Sequence, residues 1–197
     1  GLITQAPAGT QYGALYTSFM NEAAIERAGL APLMRDLAQV DALSDKSAFA
    51  RYMGATYGKF GGSLFGAGPY ADPDDPTMNA LWMFSGGLGL PEKEYYFDEK
   101  FADQRGAYLA YLERTFRNIG EASPREAASR VMTFETYVAQ LNWDAEQKRQ
   151  IEKINNPMSG SELAAYAPGV DWDAFFAGHN IPPQERIIVT DNTAVKA

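Results

Sequence analysis

The chain has few side chains that could do acid–base or metal chemistry, and its single histidine is the most restrictive of them. His179 follows Gly178 at the end of a short helical pattern. A zinc helix of the H-E-x-x-H type needs two histidines four residues apart, and the 197 residues contain only one. A lone histidine could also act as the base of a Ser-His-Asp arrangement, but no G-x-S-x-G nucleophile turn is present. We therefore interpret His179 as a surface or structural residue.

Two other patterns could hold an ion or a phosphate group. Asp72, Asp74 and Asp75 offer oxygen ligands of the kind that calcium binds. The EF-hand spacing is absent, however, and two prolines interrupt the cluster, so the pattern favours a solvated turn. The glycines of residues 61–68 and 86–89 match neither the P-loop nor the dinucleotide-binding fingerprint. They indicate backbone turns.

Carboxylates on the predicted helices are the remaining candidates for catalysis. Glu113, Glu126 and Glu135 lie in segments rich in arginine and lysine, where solvated ion pairs explain them. A glycosidase-type pair of carboxylates stays open, but no spacing selects one. We therefore assign no catalytic residue, no metal ligand and no cofactor to this chain, and its substrate-binding residues stay unassigned.

Composition excludes several classes of protein. Acidic residues number 25 against 17 basic ones, giving a net charge of −8, which argues against a nucleic-acid surface. No run of 18 apolar residues is present, so we expect no membrane contact from this segment. Cysteine is absent, which excludes disulfides and thiolate metal sites. Because the chain begins at Gly1 without an initiator methionine, we expect an excised piece of a longer protein.

Hydrophobic periodicity predicts a mainly α fold. Apolar stripes favour helices over 12–28, 45–60, 98–119 and 124–142, with a shorter helix opened by Pro32. Candidate capping residues precede these helices and two further short ones. They are Thr10, Ser44, Asp98, Ser123, Ser159 and Asp171.

Residues 63–85 interrupt the helical pattern. Alternating apolar residues predict two strands joined by the acidic turn at 71–76. Because a lone hairpin is marginally stable in water, we expect this small two-stranded β element to join a larger sheet. Residues 186–190 read as a terminal strand or an extended tail. The predicted architecture is one helical lobe over 1–197 with a β-hairpin insertion.

Three stretches, taken together, resemble the neprilysin and endothelin-converting-enzyme family of zinc metallopeptidases, including bacterial endopeptidase O. The central stretch, Gly87 to Tyr96 (GLGLPEKEYY), is similar to the family pattern G-L-G-L-P-[DS]-[RK]-[DE]-Y-Y. An earlier stretch runs from Tyr16 to Leu33 and contains I-E-x-x-G-x-x-P-L. A later one contains Asn156-Pro157-Met158-Ser159, Glu162-Leu163, Pro168 and Asp171-Trp172. One departure is Asn155, where the family usually has tyrosine.

The resemblance implies a non-catalytic, amino-terminal part of a longer peptidase. In this family the zinc helix, the third zinc ligand and the substrate-clamping N-A-[YF] segment lie further along the chain, and none occurs here. We therefore expect zinc only in the full-length parent, with the carboxy-terminal catalytic domain and peptide substrates as partners. The resemblance also implies a helical lobe that closes a chamber around the peptide, and a periplasmic or extracellular parent.

An independent helical binding module without peptidase activity is the alternative. Its groove would be lined by Trp82, Tyr95 and Tyr96, although core packing explains the same aromatic residues.

Overall fold

The structure is a computed structural model, and it describes residues 4–7, 9–56 and 63–197. By its internal contacts the chain divides into two compact units, Gly1–Leu43 and Ser44–Ala197. The single lobe expected over residues 1–197 stays a prediction.

The described residues of the first unit form three helices, α1 (Gln11–Phe19), α2 (Glu22–Ala28) and α3 (Ala31–Asp41). The prediction of one continuous helix over 12–28 is wrong. The first helix ends at Phe19. The Asn21 side chain then accepts a hydrogen bond from the Ala24 amide at 3.1 Å and caps the start of α2. Asparagine side chains compete with the backbone in this way and therefore favour a new helix start over a helix interior.

The apolar stripes of the first unit are largely exposed. Among residues 4–7 and 9–43 the only buried residue is Gly13. Phe19 is 76% exposed and Ile25 is 52% exposed. The described residues of the first unit therefore leave most of their large apolar side chains accessible.

The second unit is built on a four-stranded sheet. Its strands are β1 (Phe65–Ala71), β2 (Asn79–Ser85), β3 (Pro157–Met158) and β4 (Ile187–Val189), in the order β1-β2-β4-β3. β1 and β2 form the predicted antiparallel hairpin. β2 then pairs in parallel with β4, and β4 pairs antiparallel with β3. The hairpin therefore does join a larger sheet, which extends the predicted two-stranded element and confirms the strand at 186–190.

β1 lies at an edge of this sheet, and two backbone positions on its outer side are not free to pair with another strand. Pro69 has no amide hydrogen, and the Trp82 indole donates to the Ala71 carbonyl at 3.2 Å. Edge strands that carry proline and covered carbonyls resist unwanted strand pairing. The Tyr70 ring packs edge-on against both Trp82 and Phe84, which stabilises the hairpin across its strands.

The described residues of the second unit also form helices and turns. They are α4 (Lys46–Thr56), α5 (Glu94–Phe97), α6 (Ala102–Asn118), α7 (Pro124–Leu141), α8 (Ile151–Ile154), α9 (Gly160–Tyr166), α10 (Trp172–His179) and α11 (Asn192–Lys196), with single 3-10 turns at Glu99–Phe101 and Gln147–Arg149. The predicted end of the 45–60 helix lies outside the described residues. The terminal helix α11 was not predicted.

Local capping chemistry explains several of these helix starts. Ser159 and Glu162 form the predicted capping box at α9, and Asp171 caps α10 by accepting from the Ala174 amide. α4 begins one residue later than predicted, because Asp45 rather than Ser44 accepts from the Ala48 amide at 2.8 Å. The predicted side-chain caps of α6 and α7 are wrong. Asp98 precedes a 3-10 turn, and Ser123 makes no capping hydrogen bond.

The main core lies between the sheet and the α4–α10 pair. Met83, Ile187 and Val189 are fully buried on the central strands, and Phe175 is fully buried on α10. Burial of each such side chain stabilises the fold by about 1.5–3 kcal/mol. α4 and α10 can cross closely because Gly54 has no side chain, and a Cβ at this position would overlap the Phe175 carbonyl oxygen.

Candidate functional site

The Gly87–Tyr96 loop is organised by one tyrosine hydroxyl. The Tyr96 hydroxyl accepts hydrogen bonds from the amides of Gly89 and Leu90, at 3.1 and 3.0 Å. Gly87 has a φ of 82°, a conformation that favours glycine. The loop therefore needs glycine at 87 for its backbone and a tyrosine at 96 to satisfy its amides.

Glu135, from α7, lies beneath this loop and joins it to two helices. The hydroxyls of Tyr96 and Tyr108 donate to its two carboxylate oxygens at 2.7 and 2.9 Å, and the Gly89 amide donates at 3.2 Å. The prediction of a solvated ion pair for Glu135 is wrong, because the residue is 9% exposed and all three of these donors are neutral groups.

The electrostatics of this cluster keep both tyrosines protonated. Burial, together with the hydrogen bond to Glu135, raises the pKa of Tyr96 and of Tyr108 well above the usual value of 10.0. Three of about four lone-pair positions of the Glu135 carboxylate thus accept hydrogen bonds from within the fold. The cluster therefore fastens the loop to α6 and α7.

The acidic turn at 71–76 is also tied to a distant residue. Arg186, just before β4, donates to both oxygens of Asp72 and to Asp74, the last at 2.6 Å. Asn155 donates to the other Asp74 oxygen at 3.1 Å. The guanidinium hydrogen bonds hold the pKa of Asp72 below its usual value of 3.8. The prediction of a solvated turn is wrong for Asp72, which is 7% exposed, and the guanidinium takes the oxygens that a calcium ion would use.

A third polar cluster lies at the carboxyl ends of the parallel strands β2 and β4. Ligands often bind at such ends in open sheets. Asp191 is 2% exposed, and it accepts from the Ser85 hydroxyl at 2.7 Å and pairs with the Lys148 ammonium at 3.5 Å. Both partners contact the same carboxylate oxygen, Oδ2, and the cluster thereby links two strand ends to the segment after α7.

The other residues considered in the sequence lie apart from these clusters. His179 is half-buried at the end of α10, with its ring edge-on to Phe175. Glu113 forms an exposed i,i+4 pair with Arg117, as predicted, and Glu126 is exposed.

The aromatic residues of the alternative binding groove do not lie in one groove. Tyr96 is buried and Tyr95 stacks on Phe101 at 3.9 Å, whereas Trp82 packs against Tyr70 and Phe84 on the hairpin.

The residues that the structure describes do not fit a zinc site. Catalytic zinc takes three protein ligands drawn mainly from histidine, cysteine and carboxylates, and the chain has one histidine and no cysteine. The described residues contain no group of three such side chains placed to hold a metal ion. The carboxylates of Asp72, Glu135 and Asp191 each form a hydrogen bond or an ion pair with another side chain of the protein. Over the described part of the chain, no helix is both long and apolar enough to cross a bilayer.

The similarity to known proteins extends over almost all of these elements. Residues 3–197 match the profile of peptidase family M13. Endothelin-converting enzyme 1 from Bos taurus is 26% identical over 190 residues, which cover 89% of this chain and 25% of that enzyme. The Rattus norvegicus enzyme is 29% identical over 129 residues, which cover 61% of this chain and 17% of the enzyme.

Solved structures share the fold. The zinc metalloprotease Zmp1 of Mycobacterium tuberculosis, crystallised with an inhibitor, superposes with a TM-score of 0.89 at 27% identity. The match covers 98% of this chain and 31% of that protein. PepO from Lactobacillus rhamnosis shares the fold at 14% identity and a TM-score of 0.67, over 86% of this chain and 28% of the other. This chain thus spans less than a third of the length of these relatives, and it belongs to the amino-terminal region of peptidase family M13.

Proposed function

We propose that this chain is the non-catalytic amino-terminal portion of a zinc metalloendopeptidase that hydrolyses peptides, and that it forms one wall of the substrate chamber. The observation that carries the proposal is the match of residues 3–197 to peptidase family M13. The similarity to Zmp1, whose name describes a zinc metalloprotease, supports it. The carboxy-terminal catalytic domain of the same polypeptide would be the partner and would hold the zinc.

The contribution of these residues would be rigidity and shape. Each polar cluster described above joins segments that are distant in sequence: Tyr96 to Glu135, Asp72 to Arg186, and Ser85 to Asp191. Such cross-links suit a wall that must keep its form while a peptide is held against it. From the family resemblance we place the parent in the periplasm or outside the cell.

The experiment compares the protein made from the complete reading frame with residues 1–197 alone. We expect the complete protein to hold one zinc per polypeptide, by atomic absorption, and to cleave a fluorogenic peptide until a chelator is added. Residues 1–197 should do neither. The proposal fails if residues 1–197 alone bind one equivalent of zinc and cleave the peptide, or if the complete protein does not.

The chamber role has its own test. A closed chamber admits short peptides and rejects folded proteins, so the complete enzyme should cleave a peptide but leave the same sequence intact on the surface of a folded carrier. Equal cleavage rates for the two substrates would contradict the chamber role while leaving the peptidase assignment in place.

A further inference from the structure

A cavity of about 430 Å³ opens on the second unit, between α4, α7 and α11. Met53 and Phe65 from the main core contribute to its inner wall. Pockets of this size with mainly apolar walls are typical of sites that receive an apolar group.

α7 presents two different faces, and only one of them is covered. Ala128, Glu135 and Ala139 are buried on one side of the helix. The other side carries an apolar stripe at i, i+3, i+4 and i+7 that lines the cavity, formed by Phe134, Tyr137, Val138 and Leu141.

The outer end of this stripe is left in water. Phe134 is 52% exposed and Tyr137 is 54% exposed, and Phe49 of α4, across the opening, is 43% exposed. Three aromatic side chains around one apolar cavity form a contiguous patch of the kind that marks an interaction surface. We call this patch, with the cavity behind it, the α7 cleft.

The charge around the α7 cleft is opposite to that of the chain as a whole. Lys46 and Lys196 line it, and no acidic side chain does. The whole chain carries a net charge of −8. A partner that seats apolar side chains in the cavity and carries carboxylates at its edge is therefore complementary to the cleft.

The rest of a longer polypeptide could supply such a partner. The fold described here, including α4, α7 and α11, accounts for 31% of the Zmp1 chain, so most of that protein lies outside the matched region. Resting on the proposed function, we infer that the α7 cleft docks an apolar, acid-bearing segment from the catalytic part of the same polypeptide. Docking there would bury the aromatic rim and hold the catalytic part in a defined position.

Photo-crosslinking in the complete protein tests this inference. The variant Tyr137→p-benzoylphenylalanine places a photoreactive group at the rim of the cleft. The matched control is Tyr111→p-benzoylphenylalanine, because Tyr111 is 51% exposed and lies on α6, outside the cleft lining. We expect irradiation of the Tyr137 variant to give an intramolecular crosslink, mapped by mass spectrometry, to a peptide beyond residue 197 that contains Asp or Glu. The control should not label that peptide.

Every other pattern overturns the inference. A crosslink to a second copy, to a different protein or only within residues 1–197, equal labelling by the control, or no crosslink would each contradict it. The double variant Lys46→Glu, Lys196→Glu should reduce the crosslinking yield at least threefold, because it reverses the charge of the rim; an unchanged yield would refute the charge complementarity. Zinc content and peptide cleavage, measured on the same preparation, report the proposed function separately.

Discussion

The Tyr96 hydroxyl gives the sharpest test of how the Gly87–Tyr96 loop is held. Tyr96→Phe removes three hydrogen bonds at once, two from loop amides and one to Glu135. The Gly89 amide keeps Glu135 as an acceptor, whereas the Leu90 amide has no other acceptor among its described contacts. One unsatisfied amide costs about 1–3 kcal/mol and one lost bond to a carboxylate about 1.5–3 kcal/mol, so we expect a loss of about 3 kcal/mol.

Thermal and urea unfolding of the 197-residue chain, followed by circular dichroism, measures this loss. At about 2–4 °C per kcal/mol for a chain of this size, the Tm should fall by about 6–12 °C. Tyr108→Phe removes only one bond to Glu135 and should cost about half as much. Tyr111→Phe is the control, because its ring is 51% exposed, and it should change the Tm by less than about 2 °C. Equal effects of the three substitutions, or none, would refute the description of the Glu135 cluster.

Three further outcomes are expected. Gly89→Val should cost about 3 kcal/mol or prevent folding, because a side chain at 89 would overlap the Tyr108 hydroxyl, and a Tm within 2 °C of the parent would contradict this. Arg186→Gln should destabilise the chain at pH 7. Because the folded-state pKa of Asp72 is lowered, this difference should persist above pH 3.8 and shrink as the pH falls below it. Urea unfolding at pH 7 and pH 3 measures the difference, and an equal value at both would contradict the role of the Asp72 carboxylate. Ser159→Ala should cost about 1 kcal/mol by the same assay through loss of the α9 cap, and no change would contradict the capping role.

Local features of the fold could be predicted from the sequence, because their causes lie within a few residues. The Ser159–Glu162 capping box, the Asp171 cap and the β1–β2 hairpin all depend on short-range spacing, and all three are confirmed. The break between α1 and α2 was missed although Asn21 provides a local signal, because the apolar stripe continues across it. There, side-chain capping prevails over hydrophobic periodicity.

The polar clusters could not be predicted, because each depends on a partner that the chain brings back from far away. Arg186 meets Asp72 across 114 residues, and Asp191 meets Ser85 across 106. No spacing rule links such positions in a single sequence. Glu135 resembled an ordinary surface glutamate of an amphipathic helix, and only the fold of the Gly87–Tyr96 loop places it under two tyrosine hydroxyls.

The strongest motif of the sequence therefore has a structural role in this fold. In the GLGLPEKEYY stretch, Gly87 provides a positive φ, Gly89 leaves room for the Tyr108 hydroxyl, and Tyr96 satisfies two amides while donating to Glu135. The three requirements are mutually dependent, since the loop loses its amide partners if the tyrosine is lost, and the tyrosine loses its position if the loop unfolds. The loop thereby fastens α6 to α7, and α7 in turn presents the cleft at which we expect the catalytic part to dock.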